Sequence, residues 1–70
     1  MNTKGFRLLM LSHDDTQEKL AESIGMSLSS LNQRINGKVD FRQREIFAIK
    51  KRYSLTDKEV AEIFFDEKVS

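Results

Sequence analysis

Seventy residues with 39% apolar side chains and a third charged make a chain with room for one small core and no second lobe to hold a substrate. With no cysteine and one histidine, neither a disulfide framework nor a Cys/His zinc site can stabilise it, and no cofactor or small-molecule ligand is expected. No apolar run approaches the roughly 18 residues of a membrane span, and no signal-peptide h-region opens the chain, so a cytoplasmic protein of one domain over 1–70 is expected.

Proline is absent and the three glycines stand at 5, 25 and 37, which leaves helix as the expectation throughout. A first helix is predicted from about Lys4 to Leu11, where Phe6, Leu8, Leu9, Met10 and Leu11 give a wide apolar face before the polar "SHDD". A second runs from Gln17 to about Ile24, with Thr16 as N-cap, Leu20, Ala21 and Ile24 at helical spacing, and Gly25 as the left-handed stop. Ser27 caps a third, in which Leu28, Leu31 and Ile35 form the packing stripe and "NG" at 36–37 ends the helix.

A fourth helix is predicted from about Arg42 to Tyr53, with Phe41 or Ile46, Ile49 and Tyr53 turned inward and its basic residues outward. Thr56 and Glu59 then read as a capping box, opening a fifth helix to about Phe65 with Val60, Ile63 and Phe64 inward. No alternating run suggests a strand. The expected fold is all-α, a bundle of five short helices.

Charge is distributed unevenly along this order. Residues 28–53 carry seven basic residues against Asp40 and Glu45, a net of +5, whereas residues 1–27 and 54–70 carry −1 and −3. A basic middle third suits a polyanionic partner. Two short helices joined by a turn containing Gly are the helix-turn-helix unit, whose first helix braces the DNA backbone while the second enters the major groove. In "TQEKLAESIGMSLSSLNQRING", small Ala21 stands at the close approach, Gly25 where positive φ is needed, and Leu20, Ile24, Leu31 and Ile35 at the contact between the helices.

This pattern, "TQxxLA…IG…S…L…NGK", resembles the Cro and lambda-repressor family of phage and bacterial regulators over residues 5–65. The resemblance implies five helices with the helix-turn-helix on the second and third, a DNA operator as partner, and Gln17 and Asn36 as phosphate clamps. The "GKVDF" connection and the acidic, Phe-rich last helix are similar to small prophage regulators, with no autoproteolytic dimerisation domain expected to follow.

At 100° per residue, Ser29, Ser30, Gln33 and Asn36 project away from the Leu28/Leu31/Ile35 stripe. Gln33 suits a bidentate pair with adenine, and Ser29, Ser30 and Asn32 suit several base edges. Thr16 and Ser27, at helix starts, and Lys38, Arg42 and Arg44 beyond them are the expected phosphate contacts besides Gln17 and Asn36. Leu28 is expected to pack with Leu31 and Ile35, the alternative being contact with a thymine methyl.

His13, Asp14 and Asp15 are adjacent in a loop and do not converge as metal ligands; the two acids are expected to favour the start of the second helix. Ser23 and Ser30 lack an activating histidine, so no enzyme activity is expected. Phe64 and Phe65 cannot both enter one small core. Phe65, with Val69, is therefore an expected homodimer contact, the other use being to cover the first helix, and Phe47 has the same two uses. Two functions follow from these readings: a sequence-specific regulator that occupies an operator, or a protein-interaction module, antirepressor or antitoxin-like, on the same scaffold.

Overall fold

The computed structural model describes residues 1–65, which form α1 (Thr3–Ser12), α2 (Gln17–Ser23), α3 (Leu28–Ile35), α4 (Gln43–Tyr53) and α5 (Asp57–Phe64). Among the described residues there is no strand, and no helix is long and apolar enough to cross a membrane. The all-α, five-helix expectation holds, with boundaries within about one residue of those expected.

α1, α2, α3 and α5 each begin where a short polar side chain takes up an otherwise orphaned N–H. Thr16 accepts from Lys19 N, Ser27 from Ser30 N and Thr56 from Glu59 N, each at 3.1 Å. Asn2 does the same for Gly5 N at 2.9 Å, starting α1 slightly before its predicted position. Arg42 has no acceptor to offer at the start of α4; Glu45 instead reaches back and accepts the Arg42 N–H at 2.8 Å.

α1 to α4 end in one geometry, two crossing backbone bonds around a left-handed residue. Met26 N donates to Ala21 O at 2.9 Å around Gly25 (φ 70°), and Lys38 N to Gln33 O at 2.9 Å around Gly37 (φ 79°). Asp14 (φ 50°) and Ser54 (φ 53°) take the equivalent place after α1 and α4, where Asp15 N donates to Met10 O and Leu55 N to Lys50 O.

The core gathers residues from every helix: Phe6 and Met10 of α1, Leu20 and Ala21 of α2, Leu31 and Ile35 of α3, Ile49 and Tyr53 of α4, Leu55 of the α4–α5 connection and Phe64 of α5. Phe6, Phe41 and Phe64 form its aromatic end. Phe6 and Phe41 stack with centroids 5.6 Å apart, and Phe64 meets them edge-on at 5.8 and 5.4 Å, binding α1, the α3–α4 connection and α5 together. α2 packs closely on α3 across Ala21, which places the outer face of α3.

Two expectations about α1 need correction. Leu8 and Leu11 are exposed, because five apolar residues within six positions cannot share one helical stripe; Phe6 and Met10, four apart, take the inward positions with Leu9 on their flank.

Candidate nucleic-acid interface

α3 is buried on one side and open on the other. Leu31 and Ile35 are wholly buried, and Gln33, Ser29 and Asn36 are exposed on the opposite side, as expected for a helix laid into a groove. Asn32 lies half-buried on the flank. Ser30 is half-buried too, its hydroxyl oxygen accepting from Ser27 Oγ at 3.0 Å, which leaves the Ser30 hydroxyl proton to donate outward.

Leu28 departs from its predicted role. It is 41% exposed and does not belong to the core, although its wheel position lies near that of Leu31 and Ile35. Leu28 is the first residue of α3, directly after the Ser27 cap, and only the later turns of the helix, at Leu31 and Ile35, are buried in the core.

α3 is held at its C-terminal end by groups distant in sequence. Thr3 Oγ1 donates to Ile35 O at 2.9 Å, and Arg7 Nη2 donates to Asn36 Oδ1 at 3.0 Å, leaving the Asn36 amide N–H groups available. On the other side Arg34 Nε meets Glu45 Oε1 at 2.9 Å while its Nη1 donates to Ser30 O at 3.1 Å. Since the same Glu45 oxygen accepts Arg42 N–H, one buried carboxylate ties α3 to the start of α4. Ile35 thus faces the core and Arg34 its edge, which fixes the rotation of α3 about its axis.

The predicted phosphate contacts fall into two groups. Thr16 and Gln17 share a shallow groove of about 240 Å³ with Arg7, and Arg7 in turn reaches Asn36. Lys38, Arg42 and Arg44 are exposed beyond α3, where Lys38 N and Val39 N both donate to Gln33 O. None of these three cations forms an ion pair among the described residues. Ser27 stands exposed at the start of α3.

Arg7 was not legible as part of this face. Its only sequence signal is an exposed cation flanking the Phe6/Met10 stripe of α1, and its approach to Asn36 spans 29 residues.

The basic middle third is less available than its count implies, because Arg34 pairs with Glu45, Lys50 with Asp57 and Arg52 with Asp15. Asp15 accordingly does more than favour the start of α2. It accepts Arg52 Nε at 2.8 Å and Nη2 at 2.9 Å, Thr16 N at 3.0 Å, and the Tyr53 hydroxyl. The Arg52 bonds above all hold its carboxyl well below the usual carboxylate range, and burial, reinforced by Asp15, pushes the Tyr53 phenol up. Asp14 serves instead as the left-handed residue closing α1.

Phe64 and Phe65 divide as expected. Phe64 is buried, while Phe65 is 59% exposed; Phe47 of α4 is 60% exposed. Val69 lies outside the described residues.

With this geometry in place, a family model described as Helix-turn-helix matches residues 6–60, more than half of the chain. The chain belongs to the Cro/lambda-repressor-like helix-turn-helix family. No curated protein and no solved structure matches it. The α2–α3 unit of this helix-turn-helix domain lies within the match, and so do α4 and the first residues of α5. The family is a DNA-binding, regulatory one, with double-stranded DNA as its partner.

Proposed function

We propose that residues 1–70 act as one domain and form a sequence-specific transcriptional regulator of the phage Cro/repressor kind, which works by occupying an operator and carries out no catalytic step. The observation that carries this reading is α3 itself: Leu31 and Ile35 wholly buried, Gln33 and Ser29 exposed opposite them. In the proposed complex Gln33 pairs with adenine, Ser29, Ser30 and Asn32 bond to neighbouring base edges, and α2 braces the backbone. Thr16, Gln17, Ser27, Asn36, Lys38, Arg42 and Arg44 hold phosphates, with Arg7 added through its contact with Asn36.

The same proposal includes a homodimer on DNA. Exposed Phe47 and Phe65 line one groove of about 440 Å³ with Phe41, Ile46 and Val60, continuous through Phe41, Ile46 and Phe65 with a second of about 330 Å³. A self-complementary apolar face at the α4–α5 end is suited to join two copies around a twofold axis. Val69, beyond the described residues, belongs to the same proposed contact.

Selection on randomised duplex DNA with the pure protein tests the whole reading. The expected result is a pseudo-palindromic motif with half-sites about 10 base pairs apart, bound with an affinity that falls steeply with salt. Return of no motif at low salt would overturn it in favour of the protein-interaction module, for which the same Phe-lined groove supplies a surface.

A further inference from the structure

From the exposure of Leu28 we infer that this residue reads the 5-methyl group of a thymine, and so sets one base of the operator without a hydrogen bond. The inference rests on α3 entering the major groove and adds a specificity element of a different chemical kind from Gln33. Leu28 is the first residue of α3, directly after the Ser27 cap, and stands 41% exposed where Leu31 and Ile35 on the same helix are wholly buried. Its neighbours on this turn are serines. Ser27 and Ser30 are partly occupied with one another at 3.0 Å, so the turn offers one bulky apolar group among a few small polar ones.

The chemistry of the groove then selects the base. Base edges in the major groove present hydrogen-bond donors and acceptors, and the thymine methyl is the one apolar feature among them. A leucine pressed against any other edge would strip water from a polar group and return no hydrogen bond, which is unfavourable. Against the methyl, both partners lose apolar surface to water, and burying one carbon of this size strengthens binding by about fourfold. Leu28 therefore both favours thymine and penalises its alternatives at that position.

Replacing thymine by uracil removes only the methyl, which makes the test direct. On the duplex returned by selection, each thymine is changed to uracil in turn, and affinity is measured for the wild-type chain and for Leu28→Ala. Because Leu28 is outside the core and alanine favours helix, the variant is expected to keep the wild-type circular dichroism and melting temperature. The expected result is one thymine in each half-site whose change to uracil weakens the wild type by about fourfold and leaves Leu28→Ala affected by less than about 1.5-fold. Uracil effects of equal size in both proteins, or none in either, would overturn the role of Leu28 while the selected motif kept DNA reading intact. Failure to select any motif would instead overturn the DNA reading, and this inference with it.

Discussion

Among single residues, the proposed base contact and the proposed phosphate contacts differ in what their loss should do. Gln33 is exposed on the outer face of α3 and Arg42 is exposed at the start of α4. Gln33→Ala is expected to cost about 1 to 3 kcal/mol at one base pair and leave the salt dependence unchanged. Arg42→Ala should weaken all sequences alike and lower the slope of log K against log salt by about 1. Competition binding at several salt concentrations checks both. Asp15 gives a prediction about stability instead. Its carboxylate, bonded to Arg52, Tyr53 and Thr16, titrates lower in the fold than in the unfolded chain. The stability it adds is therefore complete above its unfolded value of about 3.9 and is lost as pH falls below that toward the folded value. Tyr53 titrates higher in the fold, so its contribution is complete below about pH 10 and lost as pH rises further. Asp15→Asn should lower stability at pH 7 by about 2 kcal/mol, the pair being partly open to water at Arg52. It should also flatten the decline in melting temperature as pH falls below about 4, measured by thermal circular dichroism.

For the elements, the helix ends isolate backbone conformation from packing. A Cβ placed on Gly25 would meet nothing within 4 Å, so Gly25→Ala tests only the left-handed backbone at φ 70° and should cost about 1 kcal/mol. Ser54 occupies the same kind of position with a side chain, and Ser54→Gly should gain about 0.5 kcal/mol, since relief of the left-handed backbone slightly exceeds the added unfolded-state entropy. Chemical denaturation resolves both. A second comparison concerns what joins α3 to α4. Glu45 is buried and shared between Arg34 and the Arg42 N–H, so Glu45→Ala strands a largely buried guanidinium and should cost about 3 kcal/mol. Asp57→Ala, which removes the exposed partner of Lys50, should leave the melting temperature nearly unchanged. These elements also show what kind of information was legible in the sequence. The Thr16, Ser27 and Thr56 caps and the glycine stops at 25 and 37 were readable because each is decided within about four residues. The left-handed Asp14 and Ser54 were not, for no glycine marks them. The exposure of Leu28 was misread because helical periodicity assigns a face but not how deeply each residue along it is covered. Charge counts likewise assign Arg34, Lys50 and Arg52 to an outward basic surface, although their acidic partners, 11, 7 and 37 residues away, were themselves in view.

For the whole molecule, the proposed reading face and the proposed dimer face must fit one duplex. The described chain measures 35 × 24 × 21 Å, so two copies joined through one face place their centres roughly 20 to 35 Å apart, a range that includes the 34 Å helical repeat of B-DNA. Phe47 and Phe65 stand on α4 and at the end of α5, whereas Gln33 and Ser29 stand on the outer face of α3, so a contact through the former can leave the latter open. Most of the aromatic surface is already spent within the fold, since Phe6, Phe41 and Phe64 close the core. Two exposed rings in a shallow groove then constitute a small interface, which on its own favours a weak, concentration-dependent dimer over a permanent one. DNA carrying two half-sites supplies the missing association by holding both copies at high effective concentration. Phe65→Glu should accordingly leave the melting temperature of the dilute protein and its binding to an isolated half-site close to wild type. It should abolish self-association in sedimentation experiments and weaken binding to the full site by about 2 kcal/mol, the scale of an aromatic hot spot. If full-site and half-site binding of Phe65→Glu instead matched wild type, the α4–α5 face would not be the dimer contact, and the spacing of the two reading helices would have to be set elsewhere.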